Sequence, residues 1–275
     1  LGLVKAGRVY DVSSVLDDLP RYAWPFPPGD LVIAHLAEIA AKIRDAPLPA
    51  TSYGVDEVAW CSPVANPSKI VAAPVNYRLH LEESEADPEI HGNRAVLRIG
   101  TAGLFLKATS ALVGPAEGIA LHFPDRRTDH EVELVAVIGK TCKNVAEADA
   151  LDVVAGYCIG LDVTVRGPED RSFRKSLDSY AVLGPWLTLA GDVPDPDNLE
   201  LELRVNGETR QRANTSLLIF GVKKLIAWAS EWYTLYPGDV LFTGTPEGVG
   251  PIAPGDVLDA SIEGLGAMRV SVRSA

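Results

Sequence analysis

A β-rich α+β fold is predicted by three features of this 275-residue chain. Beyond Lys107 the sequence runs in short apolar segments of strand length, punctuated by Gly and Pro. Only two stretches there, near residues 145–155 and 217–230, carry helical patterning. Strand-like and helix-like segments do not alternate regularly, which argues against βαβ winding around a parallel sheet.

Taken in order, residues 1–65 are expected to form a small N-terminal domain. It would hold a short strand near residues 8–12, a turn at Pro25-Phe26-Pro27-Pro28, and a helix over residues 31–44 stopped by Pro47-Leu48-Pro49. His35 within that helix is read as structural. Asn66-Pro67-Ser68 leads into a short buried strand at residues 69–73, which opens the main domain, residues 66–275. Residues 81–103 stand apart, because Glu82, Glu83, Glu85, Asp87, Glu89, Arg94 and Arg98 crowd a stretch with little apolar periodicity. Such a stretch is either a lid over a site or a solvated surface loop. Farther on, Pro237-Gly238-Asp239 and Pro254-Gly255-Asp256 each precede Val-Leu, the chemistry of a turn feeding a strand.

Composition narrows the function classes. Hydrophobic residues at 47% and charged residues at 23% are those of a globular protein with a substantial core. The formal net charge of −12, with no basic stripe, argues against a nucleic-acid partner. No apolar run approaches the roughly 18 residues of a membrane span, and no secretory signal opens the chain, so no membrane partner is expected and the expected compartment is the cytoplasm. The chain opens at Leu1 rather than Met, so further N-terminal residues are expected. Cys61, Cys142 and Cys158 form no CxxC pair, and each is expected to fill an apolar position.

The stretch 129–140, Asp-His-Glu-Val-Glu-Leu-Val-Ala-Val-Ile-Gly-Lys, carries the strongest chemical signal. As one strand it places Glu131 and Glu133 on the same face, with Cα atoms about 7 Å apart. Val135 and Val137 continue that face while Val132, Leu134, Ala136 and Ile138 line the other, the pattern of a strand buried on both sides. Buried carboxylates pair with cations, shift their pKa or bind metal; the plainer alternative is a solvated strand end. Asp162, in an alternating segment with Thr164 and Arg166, supplies a third oxygen donor, or else pairs with Arg166. Three acidic oxygens suit Mg²⁺, Mn²⁺ or Ca²⁺, and no Cys/His cluster suggests zinc. His80 and Glu83, three residues apart, meet on one face if their segment is helical, and a carboxylate beside imidazole makes a plausible water activator.

In sequence, Asn76-Tyr77-x-x-His80-x-x-Glu83, Phe105-Leu106-Lys107, Asp129-x-Glu131-x-Glu133-Leu134, Asp162-x-Thr164-x-Arg166, Val205-Asn206-Gly207-Glu208 and Thr243-Gly244-Thr245-Pro246-Glu247-Gly248 closely resemble the fumarylacetoacetate hydrolase family over about residues 69–275. The resemblance implies a mixed β-sandwich or β-roll catalytic domain that carries a divalent ion, usually Mg²⁺, in a homodimer with a variable small N-terminal domain. It implies action on 2-oxo acids, as in the breakdown of aromatic compounds. By motif position Glu131, Glu133 and Asp162 would hold the metal, and His80 and Glu83 would activate water. Lys175 would steady developing negative charge, and Arg166, Thr245 and Tyr77 would bind substrate. On the residues alone, Lys175 reads equally as a surface base and Thr245 as part of a tight turn; Lys107 is a weaker candidate.

Two departures stand out. Many relatives carry an oxyanion-assisting glutamine after the Asp162 segment, where this chain has Glu169. Ala73-Pro74-Val75 also replaces a more usual glycine-containing turn. The expected activity is metal-assisted hydrolysis of a C–C bond in an acylpyruvate-like substrate. The alternatives are isomerisation or decarboxylation of a 2-oxo or 2-hydroxymuconate-type dicarboxylic acid at the same metal, sugar-acid dehydration, and a non-catalytic metal-binding module.

Overall fold

The computed structural model describes residues 1–90, 95–96 and 98–275. Two sheets dominate it, giving the β-rich α+β class. A seven-stranded mixed sheet has the order Phe105–Lys107, Ile70–Ala72, Val240–Phe242, Val132–Ile138, Val154–Asp162, Ala181–Leu189, Leu112–Val113. A five-stranded sheet has the order Glu208–Asn214, Glu200–Val205, Val257–Ile262, Gly266–Ser274, Ile119–Leu121. The main core fills the space between them: Leu134, Ala136, Ile159 and Leu161 from the first sheet cluster with Leu201, Leu203, Leu258 and Val270 from the second. Leu225, Ile226 and Ala229 of the Val222–Trp232 helix join the same core.

The other face of the seven-stranded sheet carries a second core of Val135, Val137, Cys158, Leu183 and Phe242, and the N-terminal unit reaches it through Ile33. Asp30 fixes that contact. Its Oδ1 accepts from the Val32 and Ile33 N–H groups at 2.9 and 3.1 Å, capping the Leu31–Ala34 helix, while its Oδ2 accepts from Ala65 and Asn66 N–H at 2.9 and 3.0 Å.

Several local expectations are corrected. Residues 129–140 are two strands, not one: Thr128–His130 belongs to a three-stranded sheet with Thr164–Val165 and Gly250–Pro251, and Val132–Ile138 to the large sheet. The neighbouring strand breaks at the same level, after Asp162. Both strands therefore change sheets together, with Glu131 and Val163 at the crossing. The helix expected over residues 31–44 divides at His35, whose ring bonds the Tyr22 hydroxyl at 2.8 Å and Glu38 at 3.3 Å. Near residues 145–155 the chain makes a 3₁₀ helix, Glu147–Val153, and Val154 already starts a strand, as suits consecutive β-branched residues.

The helix expected from residue 217 starts at Val222, because Phe220 and Ile219 are held instead by Asn76. Cys61 is exposed, whereas Cys158 is buried. Of the charged stretch 81–103, residues up to Ala86 extend the Arg78–Ala86 helix and Ile99–Ala102 forms another short one, while Arg94 lies outside the described residues. Among the described residues, no helix is long and apolar enough to cross a membrane.

Leu134 is fully buried in a central strand of the main core. Leu134→Ala is expected to lower the unfolding free energy by about 2–5 kcal/mol, read from urea denaturation at constant slope.

Candidate metal centre and active site

The joint change of sheet assembles the site. Gly160 lies opposite Glu133 and Leu161 opposite Val132 in the antiparallel ladder, which sets Asp162 beside Glu131; the Asp162 N–H donates to the Glu131 carbonyl at 2.8 Å. With side chains alternating, Glu131, Glu133 and Asp162 project from one face, the same face that carries the second core farther along. One ligand oxygen from each lies within 4.8 Å of the others, and all three residues are buried.

Cationic side chains surround this cluster. Lys175, in the short helix Arg171–Lys175, spends all three N–H donors there: Glu131 Oε2 at 2.7 Å, Asp162 Oδ2 at 2.7 Å and Thr164 Oγ1 at 2.6 Å. Lys107 bonds Asp162 Oδ1 and donates to the Tyr180 carbonyl at 2.7 Å. Arg166 reaches Asp129 Oδ2 at 2.8 Å and Glu131 Oε1 at 3.0 Å, and Thr164 Oγ1 donates to the same Glu131 oxygen at 3.0 Å.

These contacts set the ionisation. Burial alone would raise the Glu131 carboxyl, but Lys175 and Arg166 outweigh it and hold the group far below the ordinary carboxylate range. Glu133 goes the other way. Burial, followed by repulsion from Asp162, pushes its carboxyl well above the usual value. Its hydrogen bond comes from the Gly244 N–H at 2.6 Å, and among the described residues it has no ion pair. Burial also pushes the Lys107 ammonium down, against the pull of Asp162. The donor set therefore fits a hard divalent cation: three converging carboxyl groups, all oxygen, with one of them short of positive charge.

His80 and Glu83 lie on the Arg78–Ala86 helix, His80 Nδ1 facing Glu83 Oε2 at 2.8 Å. Glu83 Oε1 accepts from the Gly248 N–H at 2.9 Å, so the turn after Thr245 steadies the dyad. His80, Glu131, Glu133, Arg166, Lys175 and Thr245 line one cavity, walled further by Ile90, Phe105, Arg171 and Arg174. Its interior space is about 30 Å³, enough to admit water.

Two expected substrate-binding residues have other surroundings. Tyr77 is packed in the main core, its hydroxyl buried without a partner among the described residues, and it does not line the cavity. Thr245 does line it, but its hydroxyl donates to the Val132 carbonyl at 2.8 Å and accepts from Gln211 at 2.8 Å, leaving backbone groups of the turn to face a ligand. Gly244, at φ +101°, occupies a region open to glycine, and a Cβ there would press on Asn76.

Sequence reading left Asp129, Gln211 and Arg171 unassigned and ranked Lys107 low. Asp129 joins Arg127 and Arg166. Gln211, from the five-stranded sheet, reaches Val132 N–H at 3.0 Å, His130 Nδ1 at 3.1 Å, Thr245 Oγ1 and the Pro246 carbonyl. Glu169, where the family resemblance led to the expectation of glutamine, is not on the cavity wall; it takes a two-pronged bond from Arg126 at 2.9 and 2.7 Å, and Arg126 also donates to the Arg166 carbonyl. Gly167 makes room for that fork, since a Cβ there would collide with Arg126 Nη2 and Glu169 Oε2.

Comparison with known proteins gives the family. The family profile described as fumarylacetoacetate (FAA) hydrolase C-terminal matches residues 69–273, and the chain belongs to that family. More particularly, it is 52% identical over 276 residues to a maleylpyruvate hydrolase of Aquipseudomonas alcaligenes, covering 100% of this chain and 96% of that protein. The maleylpyruvate hydrolase from Sphingobium sp. SYK-6, in a crystal structure with manganese(II) and pyruvate, is similar with a TM-score of 0.82 and 37% identity, over 100% of this chain and 96% of that one. A 5-carboxymethyl-2-hydroxymuconate delta-isomerase from Mycobacterium smegmatis is similar at a TM-score of 0.68 and 35% identity, over 83% of this chain and 87% of that one.

Lys107→Met leaves Lys175 as the only basic group bonded to Asp162 among the described residues. It is expected to reduce the unfolding free energy of chelator-treated protein by about 3 kcal/mol, measured by denaturant unfolding followed through tryptophan fluorescence.

Proposed function

We propose that this chain is a divalent-metal-dependent hydrolase that cleaves the C–C bond of an acylpyruvate-type 2-oxo acid, with Mg²⁺ or Mn²⁺ held by Glu131, Glu133 and Asp162. The observation that carries the reading is that Glu131 and Glu133 of the carboxyl triad line the same cavity as His80, the imidazole of the His80–Glu83 dyad. A bound hard cation supplies positive charge for the 2-oxo-carboxylate end of the substrate and for the carbanion equivalent that leaves as pyruvate.

The protein's own groups do the rest. Glu83 accepts the Nδ1–H of His80, which leaves Nε2 as the basic nitrogen. Nε2 takes a proton from water as its oxygen attacks the distal carbonyl. Lys175 and Arg166, both on the cavity wall, would offset negative charge as it grows there. The bond between that carbonyl carbon and the neighbouring methylene breaks, its electron pair staying with the methylene, which takes up a proton. One water is consumed, and the products are a carboxylic acid and pyruvate.

Isomerisation of a 2-hydroxymuconate-type acid is the second reading, favoured by the likeness to the Mycobacterium smegmatis isomerase. It needs no attacking water and therefore no water-activating dyad.

Verified removal of divalent ions with a chelator is expected to abolish acylpyruvate hydrolysis, and Mg²⁺ or Mn²⁺ to restore it; full turnover by metal-free protein would overturn the scheme. His80→Asn is expected to lower kcat by about 10²–10⁴ while metal binding measured by calorimetry persists. A variant that still hydrolyses acylpyruvates at the wild-type rate would remove His80 from the role of base.

A further inference from the structure

The edge strand Glu208–Asn214 of the five-stranded sheet is exposed over most of its length, yet Gln211 within it is buried, 1% exposed. Its ladder with Glu200–Val205 skips a residue: Gln211 faces Leu203 and Thr209 faces Arg204, which leaves Arg210 as a bulge. Bulges re-aim the side chains beside them. The Gln211 carboxamide reaches the other sheet at the strand break, where its Oε1 accepts from the Val132 N–H at 3.0 Å and faces His130 Nδ1 at 3.1 Å. Its Nε2 donates to Thr245 Oγ1 at 2.8 Å and to the Pro246 carbonyl at 2.9 Å. The Val132 N–H can only donate and the Pro246 carbonyl can only accept, so the amide has one orientation and all its donors and acceptors are engaged.

The turn that Gln211 grips carries two N–H groups aimed at the two halves of the site. Gly244 donates to Glu133 at 2.6 Å, and Gly248 donates to Glu83 Oε1 at 2.9 Å. The Gly244 end has anchors of its own. Thr243 donates to the Leu134 carbonyl through its N–H at 3.1 Å and its Oγ1 at 2.9 Å, and Asn76 Nδ2 donates to the Thr243 carbonyl at 2.8 Å. Regular pairing resumes at Gly250, opposite His130. Residues 245–248, in between, belong to no strand. Gly248, at φ +90°, packs so closely on the bulge that a Cβ would collide with the Arg210 carbonyl.

We propose that Gln211 is a positioning residue for the water-activating dyad: its carboxamide fixes the 245–248 stretch, and through the Gly248 N–H it sets where Glu83 holds His80 relative to the metal ligands. This rests on the hydrolase reading and deepens it. Glu83 has one oxygen on the Gly248 N–H and the other on His80 Nδ1, so displacing Gly248 frees the carboxylate to rotate and the imidazole to follow. A general base works only within hydrogen-bond reach of its water, so a shift of about 1 Å in the dyad costs rate while the carboxyl triad stays in place.

The test is Gln211→Met, alone and combined with His80→Asn, assayed on an acylpyruvate with Mn²⁺ binding followed by calorimetry. Methionine keeps the length of the side chain and removes its polar contacts. Gln211→Met is expected to lower kcat by about tenfold to a hundredfold. KM and the Mn²⁺ dissociation constant are expected to stay within about threefold, because the triad and the Gly244 end are held independently. Added to His80→Asn, the same change is expected to cost no more than about twofold further, since a residue that acts through His80 has nothing left to position. Gln211→Glu, whose carboxylate keeps an acceptor for the Val132 N–H and offers the turn no donor, is expected to behave alike. A wild-type kcat in either variant, or losses that multiply in the double variant, overturns the inference while the hydrolase reading stands. Loss of Mn²⁺ binding in both single variants overturns it too, by making Gln211 a requirement of the fold. If wild type hydrolyses no acylpyruvate, the hydrolase reading fails and this inference falls with it.

Discussion

Three carboxyl groups on adjacent strands repel one another, and containing that repulsion organises the centre of the molecule. Two like charges about 4 Å apart interact by roughly 4 kcal/mol even at an effective dielectric constant near 20. Lys175, Lys107 and Arg166 offset most of this, each anchored on a different segment. The compensation is uneven: Glu131 is held ionised by its basic neighbours, while Glu133 is driven toward its neutral form beside them. An arrangement that stabilises two carboxylates and starves the third is poised to accept one more positive charge.

The rigidity of the floor contrasts with the wall. Glu133 and Asp162 stand on buried strands of one ladder and Glu131 at the break between two strands, bonded through its carbonyl to Asp162, so their mutual placement is set by the fold. The dyad, the Arg171–Lys175 helix and the Thr243-Gly244-Thr245 turn are short pieces laid over that floor: Gly248 bonds the dyad, Lys175 ties the helix to Glu131 and Asp162, and Asn76 and Gln211 hold the turn. Fixed carboxyl groups thus come from the sheet, and the basic groups that face them from short segments outside its centre.

What could be read in advance follows the same division. Alternation within residues 129–140 was sufficient to put Glu131 and Glu133 on one face, because strand periodicity is local; the three-residue spacing of His80 and Glu83 was legible for the same reason in a helix. The ordered motifs gave the family and the β-rich class. The break at Glu131 was not legible, since an unbroken alternating segment gives no sign that its two halves pair with different sheets. Lys107 and Gln211 lay beyond local reading too: their partners are 55 residues away, at Asp162, and 34 and 81 residues away, at Thr245 and His130. Arg171 has a faint local signal, an Arg-x-x-Arg-Lys spacing that gathers charge on one side of a turn, but its place against the Phe105 ring is visible only in the fold.

The Arg126–Glu169 fork over Gly167 ties three neighbouring positions together. A Cβ at 167 would meet the Arg126 guanidinium and the Glu169 carboxylate, so a side chain there makes both flexible ends swing outward and gives up the cap that Arg126 places on the Arg166 carbonyl.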